Sequence, residues 1–270
     1  MAFSKIQTEL FLQDSQIGNR KIKIKTFNTM KSIRIALLTT IVLISASFVY
    51  AQTADEIINK YVEAIGGKEK LSNLKSLYIE STLAVMGQEA PAITSLVNGK
   101  AYKNEIDFGG QKVIQVITDK DGWGVNPMMG AATPTAMTGD ELKGNQARLV
   151  IGGLLFDYAA RGTKVELLGK EDVNGTSAYK IKATTKDNVE ITYFIDPTTY
   201  YIIKESQTVS ADGQSAETVS TYSNYKKTDY GYVVPYTHEL TLPQGISLTI
   251  TTNKVEVNKE IDPKIFEMPK

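Results

Sequence analysis

The sequence predicts a mainly β protein: a curved antiparallel sheet or half-open β-barrel of roughly ten strands, with helices on its concave side. Three observations carry that reading. Apolar and polar residues alternate with period two in several segments, Gly- and Asn-containing dipeptides break the alternation at strand-length intervals, and one helical stretch interrupts the run. Alternation gives each strand one dry and one wet face, and many such strands joined by tight turns make an up-and-down sheet long enough to curl.

The segment before the sheet has a different logic. Met30-Lys-Ser-Ile-Arg34 is a basic start, Ile35 to Val49 is an uncharged apolar run of fifteen residues, and Val49-Tyr50-Ala51 fits the positions a signal peptidase inspects. A spanning helix needs about 20 apolar residues, more than this run supplies. The expected organisation is therefore 1–29 as an upstream extension from a start codon assigned too early, 30–51 as a signal peptide cleaved after Ala51, and 52–270 as one domain.

The 219 residues after Ala51 suffice for one large all-β domain. They carry 23 basic and 28 acidic side chains, a net charge of −5 without a basic cluster, so nothing electrostatic favours nucleic acid or an anionic membrane. Cysteine is absent, which excludes disulfides, thiol catalysis, cysteine-bound zinc and a lipid anchor of the bacterial lipoprotein kind. The expectation is a soluble, monomeric, exported protein held together by its hydrophobic core.

Thr53-Ala-Asp-Glu56 is a capping box, and Ile57, Ile58, Tyr61, Val62 and Ile65 follow on one helical stripe that Gly66-Gly67 terminates. Strand alternation begins with Leu77, Ile79, Leu83 and Val85. It recurs in Tyr102, Ile106 and Phe108, in Tyr179, Ile181 and Ala183, and in Val189, Ile191, Tyr193 and Ile195. Turns are expected at Asn98-Gly99, Gly109-Gly110, Asp121-Gly122, Asn174-Gly175, Asp187-Asn188, Asp212-Gly213 and Tyr230-Gly231. Between about Pro127 and Gly162 the meander is interrupted, first by a Met-rich loop and then by a second capping box, Thr138-Gly-Asp-Glu141. Leu142, Leu149, Leu154, Leu155 and Tyr158 after it read as helical despite Gly152-Gly153. Near the C-terminus, Tyr232, Val234, Tyr236, Leu240 and Leu242 should share a face with Ile246, Leu248 and Ile250 across Pro243-Gln-Gly245.

The search for chemistry returns little. The sole histidine, His238, falls on the apolar face without a nucleophile or orienting carboxylate at a recognisable spacing, which reads as a packed residue and not a catalytic one. Asp119-Lys-Asp121-Gly122 lacks the further ligands of a calcium loop and reads as a turn. No phosphate loop, Gly-x-Ser-x-Gly elbow or His-Glu-x-x-His helix occurs, so the reading is of a protein without catalytic residues, metal or cofactor. Met128, Met129 and Met137, set among small residues, suit either a surface that accommodates apolar ligands or a plug at the end of the sheet.

Three further pieces, in order and spacing, make the chain resemble the LolA/LolB superfamily of periplasmic lipoprotein carriers. They are Ala54 to Gly67 followed by Leu71 to Leu77, Gly175 to Lys182 leading into Tyr193-Phe-Ile-Asp-Pro-Thr-Thr199, and Ile261-Asp-Pro-Lys-Ile-Phe-Glu-Met-Pro269. The resemblance implies an incomplete barrel around a hydrophobic cavity that shelters lipoprotein acyl chains or another lipid, lidded by helices, with a transfer partner at the inner or outer membrane. On that basis Leu77, Ile79, Leu83, Val85, Ile106, Phe108, Leu149, Leu154 and Leu155 are expected to line the cavity, with Met128, Met129 and Met137 in the lid loop. LolA proteins latch the lid through an arginine on an early strand. This chain has none between Leu71 and Ala147, so either the latch falls to Arg148 or Arg161 or the protein no longer performs the standard handoff to a partner. The expected function is a soluble periplasmic carrier for outer-membrane lipoprotein sorting. The alternatives are a non-carrier lipid-binding or outer-membrane assembly module of the same fold, or a hydrolase whose carboxylates converge only in three dimensions.

Overall fold

A computed structural model describes residues 52–211, 214–242 and 245–269. The predicted leader, the Asp212-Gly213 turn and the Pro243-Gln244 part of the last hairpin lie outside them.

Helix α1 (Ala54–Ala64) starts where the capping box places it. The Glu56 amide donates to the Thr53 hydroxyl at 3.2 Å, and the Thr53 amide donates to the Glu56 carboxylate at 3.3 Å. Its stripe of Ile57, Ile58, Tyr61 and Val62 is buried. The stop at Gly66 is sterically specified, because a Cβ there would lie 3.1 Å from the Gly231 carbonyl oxygen, and φ is +137°. A short helix α2 (Lys68–Ser72) then leads into the sheet.

Strands β1 (Ser76–Val85), β2 (Gln88–Val97), β3 (Ala101–Phe108), β4 (Gln111–Thr118), β5 (Gly122–Asn126) and β6 (Ala131–Ala136) form one antiparallel meander. After helix α3 (Gly139–Asn145), a second meander runs through β7 (Lys164–Val173), β8 (Thr176–Thr184), β9 (Glu190–Ile195), β10 (Ile202–Ala211), β11 (Gln214–Lys227), β12 (Val233–Thr241) and β13 (Ser247–Val257). The order β6-β5-β4-β3-β2-β1-β13-β12-β11-β10-β9-β8-β7 makes a single curved sheet that does not close. Every neighbouring pair is a sequence-local hairpin except β1 with β13, the seam joining the meanders.

The expected mainly β half-barrel is what forms, but with thirteen strands among the described residues instead of roughly ten. Strand β2 has Ala90, Pro91 and Ala92 at its centre, which blurs alternation, and β6 lies inside the segment read as an interruption. The turn before β2 is Met86-Gly87, with φ of +50° and +79°, and methionine gives no turn signal.

The helical reading of 142–158 is corrected. Helix α3 is followed by a 3-10 turn at Gln146–Leu149, and residues 151–158 form consecutive turns, with a last 3-10 turn at Ala159–Arg161. Gly152, Gly153 and Asp157 have φ of +89°, +70° and +53°, so this backbone cannot wind as an α-helix.

Register fixes the faces. Leu77, Ile79, Ser81, Leu83 and Val85 stand opposite Leu96, Thr94, Ala92, Ala90 and Gln88 on β2 and opposite Val257, Val255, Thr252, Ile250 and Leu248 on β13. This is the concave face, against which α1 and Ile151, Leu154, Leu155 and Phe156 pack to form the main core, together with Tyr179, Ile181, Tyr193 and Ile195. The convex face has its own small cluster, in which Ala101, Val116 and Trp123 are covered by Phe266 from the C-terminal 3-10 turn Pro263–Phe266. Trp123 therefore fills a core, and its indole N–H donates to the Phe266 carbonyl at 2.9 Å.

Candidate functional site

The core fills only part of the concavity. Under α1 and the 151–156 turns the side chains are dry, whereas further along the same face Ile79, Val85, Ile106, Phe108, Leu240, Leu248 and Ile250 are half-buried. An open apolar trough results, in which each side chain has a packed flank and a wet one. Of the expected lining, Leu77 and Leu83 are buried in the floor, and Ile79, Val85, Ile106 and Phe108 lie along the trough. Leu154 and Leu155 belong to the core, and Leu149 is buried at the end of its 3-10 turn.

The segment after α3 is tied down at both flanks. Asn98, in the β2–β3 turn, donates to the Leu74 carbonyl at 2.9 Å and accepts from the Ile151 amide at 3.1 Å, while the Gly99 amide donates to the Leu149 carbonyl at 2.6 Å. Tyr61 of α1 donates to the Gly152 carbonyl at 3.3 Å. Tyr158 donates to Asp55 at 2.5 Å, and that bond to a carboxylate pushes the phenol up to about 12.

The Met-rich segment lies at the sheet edge. Met128 and Met129 occupy the 3-10 turn Pro127–Met129 between β5 and β6 and are 59% and 83% exposed, while Met137 is half-buried, with its sulfur packed over Gly122. Gly122 is required there, since a Cβ would lie 2.7 Å from that sulfur.

One polar group of the trough lies on β10 to β12. Glu205 on β10 stands opposite Tyr193 on β9 and Ser220 on β11, and Tyr222 stands opposite His238 on β12. Tyr222 lies diagonally across from Glu205, next along its face from Ser220, and its ring stacks on the His238 imidazole at 4.7 Å between centroids. Burial pushes the Glu205 carboxyl up, against the opposing pull of Tyr222 and Arg148. Burial and the Arg148 charge push His238 down to about 4, so the ring is neutral at ordinary pH. Its Nε2 is buried without a hydrogen-bond partner. Arg148 extends from its 3-10 turn with the guanidinium 5.8 Å from the Tyr102 ring centre on β3. Its positive charge contributes to the shifts of Glu205 and His238. Arg161, the other candidate latch, has a buried Nε without a partner, and burial lowers its pKa.

Sequence reading placed His238 on the correct face but missed Glu205 and Tyr222. A bulge between Ile202 and Lys204 switches the face of every later residue on β10, and no composition cue marks it. The Tyr225 hydroxyl stabilises the bulge by donating to the Ile202 carbonyl.

Two depressions on the convex face are weaker candidates. One of about 470 Å³ lies between Trp123, Phe266 and Met268, and one of about 340 Å³ is lined by Glu171, Lys180, Glu190, Phe194 and Lys204. In the second, Lys180 already pairs with Glu171 at 2.7 Å. Among the described residues no three His, Cys, Asp or Glu side chains converge as a metal site, and no helix is long and apolar enough to cross a membrane.

An unclosed, curved antiparallel sheet with helices packed in its concavity defines a class of half-barrel proteins. Two solved structures share this architecture. A LolA superfamily protein from Nitrosomonas europaea superposes with a TM-score of 0.54 at 15% identity, over 80% of this chain and 98% of the other. A candidate outer membrane lipoprotein-sorting protein domain from Vibrio parahaemolyticus superposes with a TM-score of 0.51 at 14% identity, over 78% and 95%. These likenesses establish the fold. No protein-family model matches the sequence, and no curated protein matches it either.

Proposed function

We propose that the protein is a periplasmic carrier that shelters acyl chains of a lipoprotein or related lipid in its concave trough and releases them to a membrane partner without covalent chemistry. The carrying observation is the row of half-buried Ile79, Val85, Ile106, Phe108, Leu240, Leu248 and Ile250 on a sheet that stays open. Side chains so placed gain when a hydrocarbon covers them, at about 25 cal/mol per Å² removed from water. The fold shared with a LolA superfamily protein supports the reading. In it Leu77, Leu83, Leu149, Leu154 and Leu155 form the floor and flank, and the leader delivers the chain to the periplasm.

The test is binding of a fluorescent acyl probe, with mass spectrometry of organic extracts from protein isolated from its own cell envelope. The parent should bind the probe and carry lipid. Met128→Ser with Met129→Ser should weaken binding and leave the melting transition nearly unchanged, because those side chains contribute little burial. Undiminished binding would make the Met turn a plug, and absence of binding by the parent would remove the carrier reading.

A further inference from the structure

The trough is not uniformly apolar, and one of its polar side chains continues its apolar rows. His238 on β12 stands directly opposite Ile250 on β13, which stands opposite Leu83 on β1, so the imidazole continues one cross-strand row of apolar side chains. One step along, Leu240, Leu248 and Val85 make a second row. The imidazole is therefore in line with the hydrophobic floor, with the Tyr222 ring stacked on it at 4.7 Å.

A polar nitrogen buried without a partner costs free energy, and a phenylalanine would fill the same space without that cost. Arg148, whose guanidinium lies over Tyr102 on the same concave face, adds a positive charge that His238 feels. A neutral imidazole can offer a donor, and a guanidinium offers several in a fixed fork, so the two together suit an oxygen acceptor that arrives with a ligand. Burial also raises the pKa of the neighbouring Glu205 carboxyl.

We propose that Arg148, Tyr222 and His238 form a head-group station that recognises the acyl carbonyl oxygen of the bound lipid, with the tail lying along Leu83, Leu248 and Ile250. The inference rests on the lipid-carrier reading and adds where the polar end of the ligand goes. The carbonyl can come from a free fatty acid or from an ester-linked chain, and both present the same acceptor.

Displacement of an apolar dye by dodecanoic acid, methyl dodecanoate and dodecane, each with the full-length exported protein, separates the possibilities. The parent should bind the acid, the ester or both about tenfold more tightly than dodecane, the worth of one net hydrogen bond to a charged or desolvated group. Preference for the acid alone identifies a free carboxylate, and equal preference for the ester identifies the carbonyl common to both. His238→Phe and Arg148→Gln should each erase the preference while leaving dodecane affinity within about twofold, a pattern that loss of folding would not give. Equal affinity of the parent for all three ligands would overturn the station and leave the carrier reading standing. Displacement by none of them would overturn both.

Discussion

His238 shows how one side chain can be read correctly for its face and wrongly for its company. Alternation from Tyr232 to Leu242 assigns it to the dry side of β12, and the pairing with Tyr222 and Ile250 agrees. A histidine held neutral by burial has a definite signature. The unfolded chain takes up a proton near pH 6.5 and the folded one only near 4, so the folded state binds fewer protons between those values and loses stability as pH falls through that window. Glu205 acts with the opposite sign: its raised pKa makes the folded state bind the extra proton above 4.5, so its contribution improves as pH falls toward that value. His238→Phe should therefore raise the thermal midpoint near neutral pH by the equivalent of about 1–3 kcal/mol, the cost of an unsatisfied buried polar group. It should also flatten the fall in stability between pH 6.5 and about 4. Calorimetry across that range is the check, and an unchanged acid limb would mean that the ring is not the titrating group.

At the scale of elements, legibility followed local physics. Helix α1 could be read to within a residue because capping box, stripe and Gly66-Gly67 all act within one short segment. The alternating faces of β1, β3, β8 and β9 were equally readable. What escaped was whatever depends on a partner distant in sequence: β2 with its central proline, the Met86-Gly87 turn, the β10 bulge and the turns of 151–158. There, apolar residues at near-helical spacing are held instead by Asn98, Tyr61 and positive-φ glycines. The trough lining was partly visible for the same reason, since Ile79, Val85, Ile106 and Phe108 come from clean alternation, while the leucines after α3 turned out to be core or its margin. The convex cluster offers an element-level test. Trp123→Phe keeps an aromatic ring but leaves the buried Phe266 carbonyl without its donor, and should cost about 1–3 kcal/mol. Chemical denaturation would measure it, with the C-terminal turn expected to become protease-sensitive first.

The whole molecule is two meanders of local hairpins joined at the seam between β1 and β13. Hairpins close short loops, whereas the seam must bring together strands from the two ends of the domain, so it dominates the entropic barrier to folding. Leu77→Ala, on the seam opposite Val257, should slow refolding, whereas Val116→Ala, on a hairpin strand of the convex cluster, should mainly accelerate unfolding. Stopped-flow chevrons would decide this, and equal effects on both limbs would contradict it. The unclosed sheet has a consequence of another kind. Its outermost strands, β6 and β7, each present a row of unpaired amides and carbonyls to water, the arrangement from which strand-by-strand polymers grow. Both are blunted: β6 carries Pro134, which cannot donate, and β7 carries a bulge between Leu167 and Gly169 flanked by the exposed charges of Lys164, Glu166 and Lys170. The sheet is thus left open with both of its outer strands blunted.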